Sequence, residues 1–199
     1  MSKTTDRTAT VERKTKETRI AVSLNLDGGG ASSVATGVGF LDHMLEHLGR
    51  HGLLSLNIQA SGDTHVDDHH SVEDAGIALG SALAKALGEK RSIRRYGWAI
   101  VPMEDALAEV AVDLSGRPFV VFNVPFTTHK IGTFDVVLIE EFCRALANNA
   151  AMNLHVNVPY GSNDHHVAEA IFKALGQALR AAVAIDPRVG DVPSTKGTL

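Results

Sequence analysis

The chain has 199 residues, 44% of them hydrophobic and 21% charged, an ordinary balance for a soluble globular protein large enough for one sizeable domain or two half-domains sharing a core. A formal net charge of −4 favours neither nucleic acid nor an anionic membrane as partner, and no apolar run approaches the ~20 residues of a membrane span. The polar start, MSKTTDRTATVERKTKETR, lacks the apolar stretch of a secretory signal, and the single cysteine, Cys143, excludes an internal disulfide, so a reducing cytoplasm is the expected setting.

Residues 1–10 read as frayed. Ile20, Val22, Leu24 and Leu26 alternate, which predicts a strand over 18–26, and Gly28-Gly29-Gly30 predicts a turn. Leu41, Met44, Leu45 and Leu48 recur at helical spacing and predict a helix over 40–51. Leu54, Leu56, Ile58 and Ala60 alternate as a second strand, a polar loop follows over 62–68, and an Ala/Leu-rich helix covers 72–87 before Gly88. Residues 91–97 read as a basic connector. Strands are expected over 106–114 and 119–124 around a Ser115-Gly116 turn, a helix over 134–148, and a strand through Leu154, Val156 and Val158. A loop over 161–164, a long helix over 167–183 and an irregular tail over 191–199 complete the chain.

The second part repeats the first. Leu56, Ile58 and Ala60 fall on Leu154, Val156 and Val158, an offset of 154 − 56 = 98, and LDHMLEHLG falls on IEEFCRALA at the same offset. HHSVEDAGIALGSALAKAL falls on HHVAEAIFKALGQALRAAV at 165 − 69 = 96, so the second loop is two residues shorter. Duplication of a half-domain follows. The expected fold is α+β, with half-domains at approximately 10–95 and 96–187, each a small sheet with two helices, and a tail over 188–199 in a single domain of 1–199.

Histidine is the unusual residue: there are ten, six of them from His43 to His70. HHxxE occurs twice, as His69-His70-x-x-Glu73 and His165-His166-x-x-Glu169, each opening a helix. His69 and Glu73 are i,i+4 and share a face, whereas His70 is turned about 100° from His69. One helix start therefore serves two ions. The pseudo-symmetric arrangement gives metal A His69, Glu73 and His166, and metal B His165, Glu169 and His70. His43 maps onto Glu141 at offset 98, and each completes one metal's protein shell. Imidazole and carboxylate donors without thiolate suit Mn²⁺, Fe²⁺ or Zn²⁺, with Mn²⁺ preferred. Asp42, Asp67, Asp68 and Glu140 are candidate partners for the imidazole N–H groups. His43, His47 and His51 form an i, i+4, i+8 stripe, in which His43 is read as a ligand, His47 as a plain polar residue, and His51 as a substrate contact or helix-end cap. His155, on a strand, is an alternative ligand; His65 and His129 read as solvated or supporting groups.

The blocks GFLDHMLEHLGRHG, DTHVDDHHSVEDAGIALG, RRYG, EEFCRALANNAAMNLHV, NDHHVAEAIFKALGQALR and PSTKGTL, spread over residues 17–199, resemble the imidazoleglycerol-phosphate dehydratase family of histidine biosynthesis. The resemblance implies a duplicated fold, a homo-oligomeric shell of 24 chains, and two Mn²⁺ per active site lying between subunits. It implies a lyase that dehydrates D-erythro-imidazole glycerol phosphate to imidazole acetol phosphate, the substrate ring being held by two metals as imidazolate. By resemblance Glu17 is a candidate acid/base, with Glu73 and Glu169 able to share that work. Glu17, His43 and His51 are candidate substrate contacts, while Arg95, Arg117, Ser194 and Lys196 match family positions that grip its phosphate. Glu141 departs from the pattern, because some members carry His there. The competing readings are a dinuclear metallohydrolase, which also uses paired metals to activate water, and a metal-binding shell protein, which needs no Arg95, Arg117 or Lys196.

Overall fold

Two sheets with the same strand order lie on either side of four helices in the computed structural model, which describes residues 7–199. The first half comprises β1 (Thr8–Lys14), β2 (Thr18–Asn25), β3 (Ser32–Ala35), α1 (Gly39–Gly52), β4 (Ser55–Gly62) and α2 (His69–Leu87). Its sheet runs β1-β2-β4-β3, with β2 antiparallel to β1 and β4, and β3 parallel to β4. The second half comprises β5 (Tyr96–Met103), β6 (Ala106–Asp113), β7 (Phe119–Asn123), α3 (Val137–Ala150), β10 (Asn153–Tyr160) and α4 (Asp164–Val183). Its sheet runs β5-β6-β10-β7 in the same directions. A two-stranded ribbon, β8 (Lys130–Ile131) with β9 (Phe134–Asp135), precedes α3.

Several expectations need correction. Of the stretch read as frayed, residues 1–6 lie outside the described residues, but β1 begins at Thr8. β1 and β3 are edge strands whose sequences, TATVERK and SSVA, bury little and so carry a faint period. β5 begins inside the supposed basic connector. Its inward residues Gly97, Ala99 and Val101 alternate with exposed Tyr96, Trp98 and Ile100, so apolar side chains on both faces erase the polar alternation a strand usually shows. β6 and β7 do not form a hairpin around Ser115-Gly116, because β10 lies between them. Periodicity identifies a strand but not its neighbour. The third helix starts at Val137, residues 134 and 135 belonging to β9.

Each helix lies on its own half's sheet and also crosses to the other half: α1 packs on α4, and α2 on α3. Glycine sets how closely they approach. A Cβ on Gly176 would stand 2.6 Å from the Leu48 carbonyl oxygen and 2.9 Å from Gly52 N. A Cβ on Gly80 would stand 2.5 Å from the Leu146 oxygen and 3.0 Å from Ala150 N. Gly80 and Gly176 are duplicates at offset 96, as are Leu48 and Leu146 at 98, so the two crossings are copies of one contact. At the centre Phe142 and Phe172 are fully buried, with ring centroids 5.4 Å apart.

The outer faces of the two sheets differ. The first presents Thr10, Ser23, Asn57 and Gln59; the second presents Trp98, 72% exposed, with Ile100, Phe119 and Tyr160. No helix among the described residues is long and apolar enough to cross a membrane.

Candidate metal centre

Both HHxxE motifs occupy the first turn of a helix, and the residue two positions before each fixes it there. The Asp67 carboxylate accepts from His69 N at 2.9 Å, and the Asn163 side-chain oxygen accepts from His165 N at 3.0 Å. Each satisfies a backbone donor that the first helical turn leaves unpaired. Asp67 and Asn163 are themselves duplicates at offset 96. Asp164 secures the start of α4 further, accepting from Thr128 N at 2.7 Å and from Thr127 N at 3.1 Å.

The crossing of α1 and α4 gathers the donors of the second motif. His165 and Glu169 share a face of α4, with His165 Nε2 3.1 Å from Glu169 Oε1. From α1, His43 Nε2 comes within 3.2 Å of the same oxygen. His47 Nε2 lies 3.4 Å from Glu169 Oε2 and 3.3 Å from His43 Nε2. The donor atoms of His43, His47 and Glu169 all lie within 4.8 Å of one another, a group that can hold a metal ion. His47 is thus more than a plain polar residue. One turn from His43, it faces α4 rather than solvent, and apolar periodicity alone could not say what the stripe faces.

Electrostatics keep this cluster ready to donate. Burial alone would raise the Glu169 carboxyl, but the Lys173 ammonium, 2.6 Å from Oε2, and then His43 bring it down to about 2. Desolvation lowers His47 to about 4 despite the facing Glu169, so its imidazole is neutral at pH 7. His51, whose ring lies 5.8 Å from that of His47, is also lowered, by burial and then by Lys173.

The first motif is arranged differently. Glu141 lies on α3, which packs against α2 bearing His69 and Glu73. Among the described residues, however, these three form no donor group as tight as the first. Ala145 and Ile77 occupy the positions that correspond to His47 and Lys173. Nor does such a group join His70 to His165 and Glu169, or His166 to His69 and Glu73. His70 and His166 turn away toward aspartates: His70 Nδ1 lies 3.0 Å from Asp63 Oδ2, and His166 Nδ1 2.6 Å from Asp105 Oδ1. Three of the four carboxylates expected to support the imidazoles do other work. Asp42 accepts from Thr36 N at 2.7 Å, Asp67 from His69 N at 2.9 Å, and Glu140 pairs with Arg144 at 2.5 Å. Asp63 and Asp105 were missed because they lie 7 and 61 residues from the histidines they contact.

Glu17 is exposed in the β1–β2 turn and, after Asp63, helps hold the His70 imidazole above its ordinary pKa. Arg95, in the left-handed region at φ +71°, forks onto Asp113 at 2.7 and 3.1 Å and donates to the Pro193 carbonyl at 2.9 Å. The tail bearing Ser194 and Lys196 runs on to Gly116, where a Cβ would meet the Leu199 carboxyl carbon at 2.6 Å; Arg117 follows directly. The four candidate phosphate residues therefore lie along one path at the end of the second sheet. His155 is exposed on the outer face of that sheet, opposite Ala111 and Val121, on the side away from the helices and their donors.

The sequence model of the imidazoleglycerol-phosphate dehydratase family matches residues 36–179. The chain is 60% identical over 194 residues to the imidazoleglycerol-phosphate dehydratase of Granulibacter bethesdensis, covering 97% of this chain and 99% of that one. It is 58% identical to that of Methylobacterium radiotolerans, covering 97% and 100%. Its fold is similar to the crystal structure of the Staphylococcus aureus enzyme (TM-score 0.82, 42% identity, 90% and 99% covered). It is also similar to that of the Pyrococcus furiosus protein in complex with (S)-C348 (TM-score 0.83, 39% identity, 95% and 100% covered). The chain belongs to the imidazoleglycerol-phosphate dehydratase family.

Proposed function

We propose that the protein dehydrates imidazole glycerol phosphate to imidazole acetol phosphate in histidine biosynthesis, at a site of two divalent ions completed by neighbouring copies of the chain. The observation that carries the reading is the convergence of His43 Nε2 and His165 Nε2 on Glu169 Oε1, 3.2 and 3.1 Å away, where α1 crosses α4. Imidazole and carboxylate, with no thiolate, form a donor set that fits a borderline or hard divalent ion, and Mn²⁺ is our choice. His43, His165 and Glu169 would hold one ion, and Glu141, His69 and Glu73 the other. His70 and His166, unused by their own chain, would each complete an ion's shell across a subunit contact. The exposed Trp98 face of the second sheet supports self-association, for which we propose a shell of 24 chains.

Bound metal would supply Lewis-acid stabilisation of negative charge on the substrate's imidazole ring. The chain's own residues supply the rest. In this dehydration a C–O bond breaks beside the ring, a C–H bond breaks on the next carbon, and the resulting enol becomes the ketone. One group must take the carbon-bound proton and one must protonate the departing hydroxide. We assign this traffic to Glu17, near His70, with Glu73 and Glu169 as further carboxylates in the site. His43 and His51 orient the substrate, while Arg95, Arg117, Ser194 and Lys196 bind its phosphate through charge-assisted hydrogen bonds. Chelated protein, assayed with imidazole glycerol phosphate before and after Mn²⁺ is restored, tests the reading. Product should form only with metal; full turnover by rigorously metal-free protein would reject it.

A further inference from the structure

We propose that Asp63 and Asp105 are positioning residues. Each accepts from Nδ1 of the second histidine of an HHxxE motif and so presents that histidine's Nε2 outward as a ligand atom. The inference rests on the metal reading above and adds two residues to it.

The geometry singles out these histidines. His166 Nδ1 is 2.6 Å from Asp105 Oδ1, and His70 Nδ1 is 3.0 Å from Asp63 Oδ2. Among the described residues, neither His69 nor His165 has a carboxylate on Nδ1. A carboxylate acceptor places the ring proton on Nδ1 and leaves the Nε2 lone pair as the ligand atom, which in His166 has only a long contact, 3.5 Å, from the Asn163 side-chain amide. Asp105 is itself fixed. Its Oδ2 accepts from Ser162 N at 2.7 Å, Ser162 Oγ at 2.6 Å and Asn163 N at 2.8 Å, leaving Oδ1 for His166. The hydrogen bonds from Ser162 and then His166 hold its carboxyl well below the usual range.

Duplication alone did not produce the pair. Leu24 pairs with Leu56, and Val112 with Leu154. Leu56 and Leu154 correspond, so Leu24 corresponds to Val112, an offset of 112 − 24 = 88. At that offset Asp105 corresponds to Glu17, not to Asp63. Asp63 follows β4, and at offset 98 it corresponds to Gly161. The first half thus brings its aspartate from the loop after β4, and the second from the β5–β6 turn. The same contact to the same histidine was built twice from different backbone positions. Inheritance of a structural remnant does not explain that; a shared requirement for an oriented Nε2 does.

Under the crossed pairing, Asp105 acts through His166 on one ion and Asp63 through His70 on the other. The test is Mn²⁺ bound per chain, measured by equilibrium dialysis and atomic emission over a range of free Mn²⁺, for wild type, Asp105→Ala, Asp63→Ala, the double variant, Asp105→Asn and Ser162→Ala. Asp105→Ala and Asp63→Ala should each weaken one of two ions roughly ten- to a hundredfold, and the double variant both. Asp105→Asn keeps an acceptor for the ring N–H and should recover part of the loss; it also carries the test if the alanine variant fails to fold. Ser162→Ala, which removes one of three bonds to Oδ2 and leaves Oδ1 on His166, should weaken one ion by less than Asp105→Ala does. Unchanged binding in Asp105→Ala and Asp63→Ala, or Ser162→Ala matching Asp105→Ala, would overturn the proposal alone. A wild-type chain that binds no Mn²⁺ would overturn the metal reading with it.

Discussion

Lys173 donates to Glu169 Oε2 at 2.6 Å, one turn further along α4, while Glu169 Oε1 faces His43 and His165. Oε2 thus faces the lysine and, at 3.4 Å, His47, while Oε1 is left for His43 and His165. At the corresponding place in the first half, Ile77 stands one turn beyond Glu73, so only one carboxylate of the duplicated pair is held in this way.

Acid should therefore destabilise the metal-free protein through this contact. The folded Glu169 carboxyl is depressed to about 2, so its stabilisation is fully present above the unfolded value of about 4.3 and is lost as pH falls through the folded one. Lys173→Met should cost roughly 1.5–3 kcal/mol at pH 7, the range of hydrogen bonds to charged groups, and flatten the fall in stability between about pH 4.3 and 2. Urea denaturation of chelated protein across that window checks it; parallel wild-type and variant curves would contradict it.

His47 predicts a second window. Its folded pKa, about 4, lies below the ordinary 6.5, so burying it neutral contributes no penalty above pH 6.5 and an increasing one as pH falls toward 4. His47→Gln should reduce the stability lost by metal-free protein between pH 6.5 and 4. Denaturation midpoints at those two pH values measure it, and an unchanged difference would remove His47 from the account.

The glycine crossings should be intolerant of a methyl group. Gly176→Ala places Cβ 2.6 Å from the Leu48 oxygen, and Gly80→Ala 2.5 Å from the Leu146 oxygen. Each should cost about 1–3 kcal/mol as overpacking. Gly176→Ala should also weaken metal binding, because separating α1 from α4 moves His43 away from Glu169. Chemical denaturation and Mn²⁺ titration together check this; a stable variant with normal binding would show that the close approach is dispensable.

Phosphate binding predicts a kinetic signature. Arg117→Ala or Lys196→Ala should raise KM, with kcat/KM falling roughly tenfold to a hundredfold for a lost charge-assisted contact. Unchanged kinetics in both would remove these residues from the site.

How much the sequence disclosed depended on where the information lay. β2 and β4 were legible because one face of each is buried and the other polar, and the helices because Leu41, Met44, Leu45 and Leu48 keep the 3.6-residue period. The HHxxE motifs were legible because all their donors lie within one turn. β5 was not, since Trp98 and Ile100 make its outer face apolar too. The order β6-β10-β7 is a property of pairing, which no single strand's pattern contains. His47 sits in an obvious stripe, but its role depends on α4 lying opposite. Asp63 and Asp105 are 7 and 61 residues from the histidines they contact, and only the folded sheets bring Asp105 to His166.

The anomalous-scattering map of a crystal of the Mn²⁺-loaded protein tests the central claim most directly. The account predicts two Mn²⁺ peaks per chain. One should be bound by His43, His165 and Glu169 with His70 of a neighbouring chain, and the other by His69, Glu73 and Glu141 with a neighbour's His166. A single ion bound by His69, His70 and Glu73 together, or the absence of any peak beside Glu169, would contradict it.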